Sequence, residues 1–154
     1  MSSGFIAIGI VIAYAGFSGL WVENSGTWYE SLNRPGWQPP NFVFGLIWPY
    51  NFMMLAVVGW NISTTPVGGL WLAAFAISVL AATLWSYLFY KERMLKSAAV
   101  ALVTAATATL PMTYATAAFS PAATAFFVPY QLWIMVAASL AVGYAYLNSE
   151  RKTR

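Results

Sequence analysis

The stretch from Asn41 to Ile62 reads NFVFGLIWPYNFMMLAVVGWNI and contains no charged side chain. A helix of about 20 apolar residues crosses the ~30 Å hydrocarbon layer of a bilayer, at about 1.5 Å per residue. This stretch therefore predicts a membrane-spanning helix. The whole chain of 154 residues has the same character, since 60% of it is hydrophobic and 7% is charged, against roughly a quarter charged in soluble domains. Such a composition excludes a water-soluble globule.

Four more uncharged stretches of similar length lie on either side of the first one. The five predicted spans are residues 3–22, 41–62, 68–90, 97–119 and 122–148. Because backbone groups in lipid must be hydrogen-bonded within their own segment, we expect all five spans to be helices. The sequence thus predicts an all-α integral membrane protein. It would form one domain over residues 1–154, a five-transmembrane-helix bundle with a capping loop at residues 23–40.

The first span also resembles the apolar part of a secretory signal peptide. Ala13-Tyr14-Ala15 has the small residues of a cleavage site. No basic residue precedes this span, however, and a signal peptide begins with a positively charged segment. We therefore expect a retained helix.

The basic side chains all fall on one face of the predicted bundle, in the first loop, the third loop and the carboxyl-terminal tail. They are Arg34, Lys91, Arg93, Lys96, Arg151, Lys152 and Arg154. Loops rich in Lys and Arg remain on the cytoplasmic side of a membrane. The sequence therefore predicts an amino terminus outside and a carboxyl terminus in the cytoplasm, and in a bacterium it favours the inner, cytoplasmic membrane.

The ionisable side chains also limit the chemistry. The chain has no His and no Cys, and its four acidic residues are all Glu, which excludes metal sites and haem ligation through His, thiol chemistry and Ser-His-Asp triads. No ionisable residue lies within a predicted span, and this disfavours ion-coupled transport and a retinal Schiff base. We expect no required cofactor and no metal. A ligand would be held by shape, aromatic stacking and a few hydroxyl or amide groups.

Aromatic residues are abundant, with eight Trp, nine Tyr and ten Phe. Trp at the ends of spans usually forms a belt at the membrane interface, which is our prediction for Trp21, Trp60 and Trp71. Trp48 and Trp133 lie too deep in their spans for such a belt. Two interpretations remain for them: packing against a neighbouring helix, or the wall of a ligand pocket.

A motif in the first loop bears on the choice between these two interpretations of Trp48 and Trp133. The stretch from Thr27 to Pro40, TWYESLNRPGWQPP, ends in a proline-rich segment that is stiff and disfavours helix. The recognisable positions are Trp28-Tyr29, Leu32, Arg34-Pro35, Trp37, Pro39-Pro40, Gly45 and Trp48, then Trp85-Ser86-Tyr87-Leu88-Phe89-Tyr90, and finally Pro129-Tyr130-Gln131-Leu132-Trp133 with Ala137 and Asn148. Together they resemble the TspO/MBR family of tryptophan-rich sensory proteins, which are related to the mitochondrial translocator protein.

The resemblance implies a function. Family members are five-helix bundles whose first loop closes a pocket for porphyrins and other flat hydrophobic ligands, so we expect a membrane receptor or carrier with a sensory, regulatory or transport role. Its ligand would be a porphyrin or a haem-type tetrapyrrole. By position, the implied ligand-binding residues are Trp28, Tyr29, Pro39, Trp48, Phe52, Trp85, Trp133 and Ala137.

Two alternative functions stay open. In the family, the residues that match Trp48 and Trp133 are implicated in light-dependent porphyrin breakdown, so these two would be the catalytic residues of a photo-oxidative activity rather than of a conventional enzyme. The other alternative is a structural or regulatory membrane protein that binds no ligand. The expected partners are the lipid bilayer, a hydrophobic small molecule and a second copy of this chain, and nothing points to nucleic acid.

The sequence departs from the family pattern at two positions that affect ligand choice. The family often has Asn where this chain has Ala82, and the common Leu-Asn pair of the fifth helix reads Leu140-Ala141 here. Val142, Tyr146 and Arg151 fit a loose sterol-contact pattern associated with the family. Such patterns match by chance, so we give sterol binding little weight.

Small residues predict self-association. Ala74, Ser78 and Ala82 recur every four residues on the third span, and small residues let helices approach closely in lipid. The family's dimers use small-residue contacts there, which implies a homodimer with this interface. The alternative for these residues is tight packing inside one chain, as expected for Ala101 and Ala105.

Overall fold

The computed structural model describes residues 2–22 and 26–149, and within these ranges the chain is helical and has no strand. The helices are α1 (Ser2–Ser18), α2 (Gly26–Glu30), α3 (Asn41–Ile62), α4 (Gly68–Ser86), α5 (Leu95–Phe119) and α6 (Pro121–Leu147). The last turn of α4 continues into a π-helical segment, Tyr87–Lys91. The prediction of an all-helical membrane protein is confirmed at this level.

Four of the described helices are long and apolar enough to cross a membrane, namely α3, α4 with its π segment, α5 and α6. Their bounds lie within two residues of the predicted spans. Local sequence explains the starts. For example, Pro121 occupies the first turn of α6, and the Ser120 hydroxyl caps this helix by accepting a hydrogen bond from the Ala123 N–H.

The first helix differs from the prediction of a span over residues 3–22. It ends at Ser18 after 17 residues, which gives a length of about 25 Å at about 1.5 Å per residue. Residues 19–22 form turns, with the Leu20 N–H donating to the Phe17 carbonyl and the Val22 N–H to the Gly19 carbonyl. The number of spans and the orientation of the termini remain predictions. The tail residues Arg151, Lys152 and Arg154, which contributed to the orientation argument, lie outside the described residues.

The long helices form a ring in which α1 lies beside α3 and α4, α5 lies between α4 and α6, and α6 returns to α3. The core of this ring contains large aromatic side chains. Trp71 is fully buried against Phe75 at 5.0 Å between ring centroids, and its indole N–H donates to the Thr116 hydroxyl at 3.2 Å. The prediction that Trp71 belongs to an interfacial belt is therefore wrong. Trp60, by contrast, lies at the surface against Phe5.

The small residues of α4 face the inside of the chain. Ala74, Ser78 and Ala82 are buried, and the Ser78 hydroxyl donates to the Ala105 carbonyl of α5 at 3.0 Å. Side chains that are buried within one chain leave no surface for a second copy to contact. This placement matches the packing alternative for these residues and not the predicted dimer interface, so a homodimer remains a prediction without an assigned interface.

Candidate ligand-binding site

A cavity of about 350 Å³ lies beneath the loop of residues 26–40 and is lined by α1, α3, α4, α5 and α6. Six of the eight residues predicted to bind a ligand line it. They are Tyr29, Trp48, Phe52, Trp85, Trp133 and Ala137. Among the described residues that line the cavity none is charged, and most of the wall is aromatic or aliphatic. The site is an apolar space with a few polar groups, the usual form of a small-molecule pocket.

One wall of the cavity is built on α3. Trp48 and Phe52 are four residues apart, so they lie on the same face of the helix, and their rings stack at 5.4 Å between centroids. Tyr14 of α1 packs edge-on against both rings, at 5.7 Å and 5.6 Å. These contacts fix the ring planes, so the wall is rigid before any ligand enters.

Trp133 of α6 continues the cavity wall next to α3. It is buried and packs edge-on against Phe44 of α3, at 5.1 Å between centroids. Its indole nitrogen, like that of Trp85, is buried and has no hydrogen-bond partner among the residues that the structure describes. A buried N–H group normally finds an acceptor. Both groups belong to residues that line one cavity.

The wall on α4 depends on the π-helical segment. The Glu92 N–H donates to the Tyr87 carbonyl, five residues back, at 3.1 Å. An α-helix with 3.6 residues per turn brings residues four apart into line, whereas the wider π turn does so for residues five apart. Trp85 is therefore followed along the cavity wall by both Phe89 and Tyr90, with ring centroids at 5.8 Å from each.

The loop closes the cavity through a ring of hydrogen bonds. The Gln38 amide N–H donates to the Tyr29 hydroxyl at 3.3 Å, and the Tyr144 hydroxyl donates to the Gln38 amide oxygen. The hydroxyl oxygens of Tyr29 and Tyr144 are 3.1 Å apart. Tyr144 has a single hydroxyl proton, which it donates to Gln38. In the bond between the two phenols, the Tyr29 hydroxyl is therefore the donor and the Tyr144 oxygen is the acceptor. Each member of the ring thus donates and accepts once, and this ties the loop to α6 directly over the cavity.

A second set of contacts holds the loop on α6. The Asn148 side chain accepts from the Asn33 N–H at 2.9 Å and donates to the Asn33 carbonyl at 3.0 Å. Further along the loop, Pro35 and Trp37 lie against Gly143, where a Cβ atom would come within 2.8 Å of Pro35 Cγ and 2.9 Å of Trp37 Cζ2. The loop can approach α6 this closely because position 143 has no side chain.

Two predicted residues do not line the cavity. Trp28 lies behind the wall, edge-on against Phe89 at 5.7 Å, and its other surroundings are a separate cleft where the Arg93 guanidinium lies 5.3 Å from its ring centroid. Pro39 is half-buried in the loop but is not part of the cavity wall. Each of these residues is next in the sequence to one that does line the cavity, Tyr29 beside Trp28 and Gln38 beside Pro39.

Several residues that line the cavity were not predicted from the sequence, including Tyr14, Gln38, Phe89, Tyr90 and Tyr144. For Tyr144 a signal existed, because it lies seven residues after Ala137 and so on the same face of α6. Gln38 and Phe89 were inside quoted motifs, while Tyr14 had no motif to mark it. The two positions that depart from the family pattern, Ala82 and Ala141, both line the cavity.

Other predicted contacts lie elsewhere. Val142 and Tyr146 of the loose sterol pattern are on the outer surface of α6, where Tyr146 is 79% exposed, and Arg151 lies outside the described residues. In residues 2–22 and 26–149, no group of three His, Cys, Asp or Glu side chains comes together to hold a metal ion.

The fold and the cavity define a class: an integral membrane protein of packed apolar helices, with a capped aromatic pocket. The sequence model of the TspO/MBR family matches residues 6–147, and the chain belongs to that family.

Curated relatives agree with this assignment. The chain is 28% identical over 150 residues to "Protein CrtK" of Rhodobacter capsulatus, which covers 93% of this chain and 91% of the relative. It is 30% identical over 125 residues to a "Tryptophan-rich sensory protein" of Cereibacter sphaeroides, covering 80% and 78%. It is also 27% identical over 119 residues to "Tryptophan-rich protein TspO" of Bacillus cereus, covering 75% and 76%.

Proposed function

We propose that this chain is a membrane receptor or carrier that binds a tetrapyrrole, or a similarly flat and largely apolar molecule, in the cavity beneath the loop. The observation that carries the proposal is the aromatic wall itself. Trp48, Trp85 and Trp133 come from three different helices and line one space of about 350 Å³. Indole rings offer large apolar faces with one polar edge, which suits stacking on a flat conjugated ligand.

The charge distribution is consistent with a porphyrin. No charged side chain is among the described lining residues, so ionised propionates would be unfavourable inside the cavity. Arg34 lies at the loop, with its guanidinium carbon 5.6 Å from the centroid of the Tyr29 ring. A macrocycle bound with its apolar edge inward would keep its carboxylates at this end. Without any His in the chain, a haem-type ligand would be held by packing and not by a His–iron bond.

A titration of tryptophan fluorescence tests the proposal. Protoporphyrin IX added to the detergent-solubilised protein should quench its emission saturably. Trp133→Ala should weaken binding about tenfold or more, because it removes a whole stacking face, while Trp60→Ala, a matched change outside the cavity, should leave the affinity unchanged. Quenching that never saturates, or equal effects of the two substitutions, would contradict the proposed site.

The position of Trp48 and Trp133 in the same cavity wall supports a second candidate, a light-dependent oxidation of the bound porphyrin by dioxygen with these indoles as redox partners. The double variant Trp48→Phe, Trp133→Phe retains flat rings and should still bind protoporphyrin. Under illumination in air, its loss of porphyrin absorbance should fall to the rate of the free pigment. Bleaching at the wild-type rate per bound porphyrin would show that Trp48 and Trp133 have no part in the photo-oxidation.

The name of one relative, the tryptophan-rich sensory protein of Cereibacter sphaeroides, supports a sensory role. We propose a location in the cytoplasmic membrane with the basic face inside. Since the chain has no Cys, single cysteines report sidedness cleanly. In intact cells a membrane-impermeant maleimide should label Thr64→Cys, in the turn between α3 and α4, and should label Lys96→Cys only after lysis. The reverse labelling pattern would invert the orientation.

A further inference from the structure

Tyr90 has a polar atom in the cavity wall that the protein itself does not use. Its ring is fixed on three sides, at 4.9 Å from Phe89, 5.8 Å from Trp85 and 5.9 Å from Tyr29 between centroids. The other phenols at this end of the cavity, those of Tyr29 and Tyr144, are bonded into the ring with Gln38. The Tyr90 hydroxyl has no hydrogen-bond partner among residues 2–22 and 26–149.

The π-helical segment places this hydroxyl. If residues 87–91 continued as an α-helix, only position 89 would follow Trp85 on the cavity side, and position 90 would turn away by about one residue's rotation of 100°. The π turn brings both residues into the wall. Because π turns are rare and occur frequently at functional sites, the segment is consistent with a role in ligand contact.

Several polar groups of the cavity wall can donate to a ligand. The unpaired indole N–H groups of Trp85 and Trp133 can only donate, and the Tyr90 hydroxyl can donate or accept. The Gln38 amide oxygen, an acceptor, is already occupied by Tyr144. With no charged group in the described lining, the cavity offers donors to a ligand and no counter-charge.

We propose that Tyr90 is a specificity-determining residue, whose hydroxyl donates to a carbonyl or comparable acceptor on a flat ligand. This inference rests on the proposed ligand-binding function and adds the kind of polar group that the ligand carries. The site then selects flat molecules with acceptors over flat hydrocarbons of the same shape. The selection arises at the loop end of the cavity, beside the hydrogen-bond ring.

A pair of probes of matched shape tests the inference. Anthraquinone and anthracene share three fused rings, and only anthraquinone carries carbonyl oxygens. Their affinities are measured by tryptophan fluorescence for the wild type, Tyr90→Phe and Tyr87→Phe. Tyr87 lies on the same π turn but packs against Trp21, outside the cavity, so it is the matched control. The ratio between variants for one probe cancels that probe's partition into detergent.

We expect Tyr90→Phe to weaken anthraquinone about fivefold, as for the loss of one hydrogen bond, and to leave anthracene within about twofold. Tyr87→Phe should change neither affinity. Equal weakening of both probes would show that position 90 acts only by packing and would overturn the inference, as would no change in either affinity.

Protoporphyrin IX, titrated in parallel, separates this inference from the function on which it rests. If protoporphyrin binds while the probes are not discriminated at position 90, the inference fails and the proposed function stands. If neither protoporphyrin nor either probe binds the wild-type protein saturably, the proposed function and the inference fall together. Thermal unfolding of Tyr90→Phe, followed by circular dichroism, should match the wild type, because the ring and its packing are retained.

Discussion

Trp71 and Trp85 lie on the same helix, α4, and their indole N–H groups meet opposite environments. The Trp71 N–H donates to the Thr116 hydroxyl inside a closed core, whereas the Trp85 N–H is buried beside a cavity and has no partner among the described residues. The fold itself satisfies the first group. Leaving a buried donor unpaired costs about 1–3 kcal/mol, so the second group is available for a hydrogen bond to a ligand of the kind proposed above.

The same contrast separates two small residues on one face of α4. Ala74 and Ala82 are both buried, yet Ala74 is packed by protein and Ala82 borders the cavity. One half of the bundle is therefore a filled core and the other half contains the cavity. Burial alone does not distinguish them, because both kinds of residue are shielded from solvent. What distinguishes them is whether the neighbouring space is occupied by protein atoms.

The largest expected effect separates the two tryptophans. Trp71→Ala should lower the free energy of unfolding by about 3–5 kcal/mol, as for other large aromatic truncations in a core, and should impair ligand binding only through the loss of folded protein. Trp85→Ala should cost clearly less stability, because part of its ring faces space that is already empty, and should weaken protoporphyrin binding about tenfold. Unfolding in SDS, followed by circular dichroism, and fluorescence titration measure the two quantities. Equal stability losses would remove the distinction between core and site.

Small-to-large substitutions on α4 should separate core from cavity in the same way. Ala74→Leu introduces a side chain where none fits and should destabilise the fold by about 1–3 kcal/mol. Ala82→Leu can extend into the cavity, so its effect on unfolding should be smaller, while it should block the ligand. The pair also tests the role of the small residues, since size-exclusion chromatography with light scattering reports the oligomeric state. If Ala74→Leu is folded, fully stable and monomeric, Ala74 belongs to a subunit interface and not to the core of one chain.

The contrast also explains what the sequence could predict. Long uncharged stretches bounded by Pro, Ser and charged residues located α3, α4, α5 and α6, because lipid imposes a strong and simple requirement on them. The end of α1 was missed because the apolar composition continues through residues 19–22, although the backbone there forms turns. Hydropathy indicates whether a segment is suited to the lipid environment, but it does not indicate the residue at which the helix ends.

The site residues were harder to predict because the direction in which a side chain points depends on the local backbone conformation. Trp28 and Tyr29 are neighbours in one motif on α2, but consecutive residues of a helix point about 100° apart, so only Tyr29 reaches the cavity. Trp71 lies near a span end, as belt residues do, yet it faces inward over Gly59, where a Cβ atom would be 2.9 Å from its ring. Tyr90 lies inside a quoted motif, but a spacing of 3.6 residues per turn does not place both Phe89 and Tyr90 beside Trp85, whereas the π segment does.

The loop that closes the site offers a prediction of intermediate size. Gly143→Ala places a methyl group within 2.8 Å of Pro35 Cγ, so the loop must shift away from α6, and binding of protoporphyrin should weaken about tenfold. Gly45→Ala on α3 is the matched control, since nothing lies within 4 Å of its added Cβ atom. Proteolysis of the loop should also accelerate in Gly143→Ala alone. Identical affinities in the two variants would indicate that close docking of the loop is not needed for binding.

The smallest expected effect concerns the hydrogen-bond ring above the cavity. Tyr144→Phe removes the proton donated to the Gln38 amide oxygen, but the phenyl ring retains its packing against Phe89 at 5.5 Å. A hydrogen bond of this kind contributes about 1 kcal/mol, so dissociation of bound protoporphyrin, measured by stopped-flow fluorescence, should accelerate about fivefold with little change in stability. Tyr146→Phe, two residues further on the exposed surface of α6, should leave the rate unchanged. An unaltered dissociation rate in Tyr144→Phe would mean that the loop holds the ligand by its packing alone. The contacts of Pro35 and Trp37 with Gly143 would then close the cavity, and the hydrogen bonds among Tyr29, Gln38 and Tyr144 would only follow from that packing.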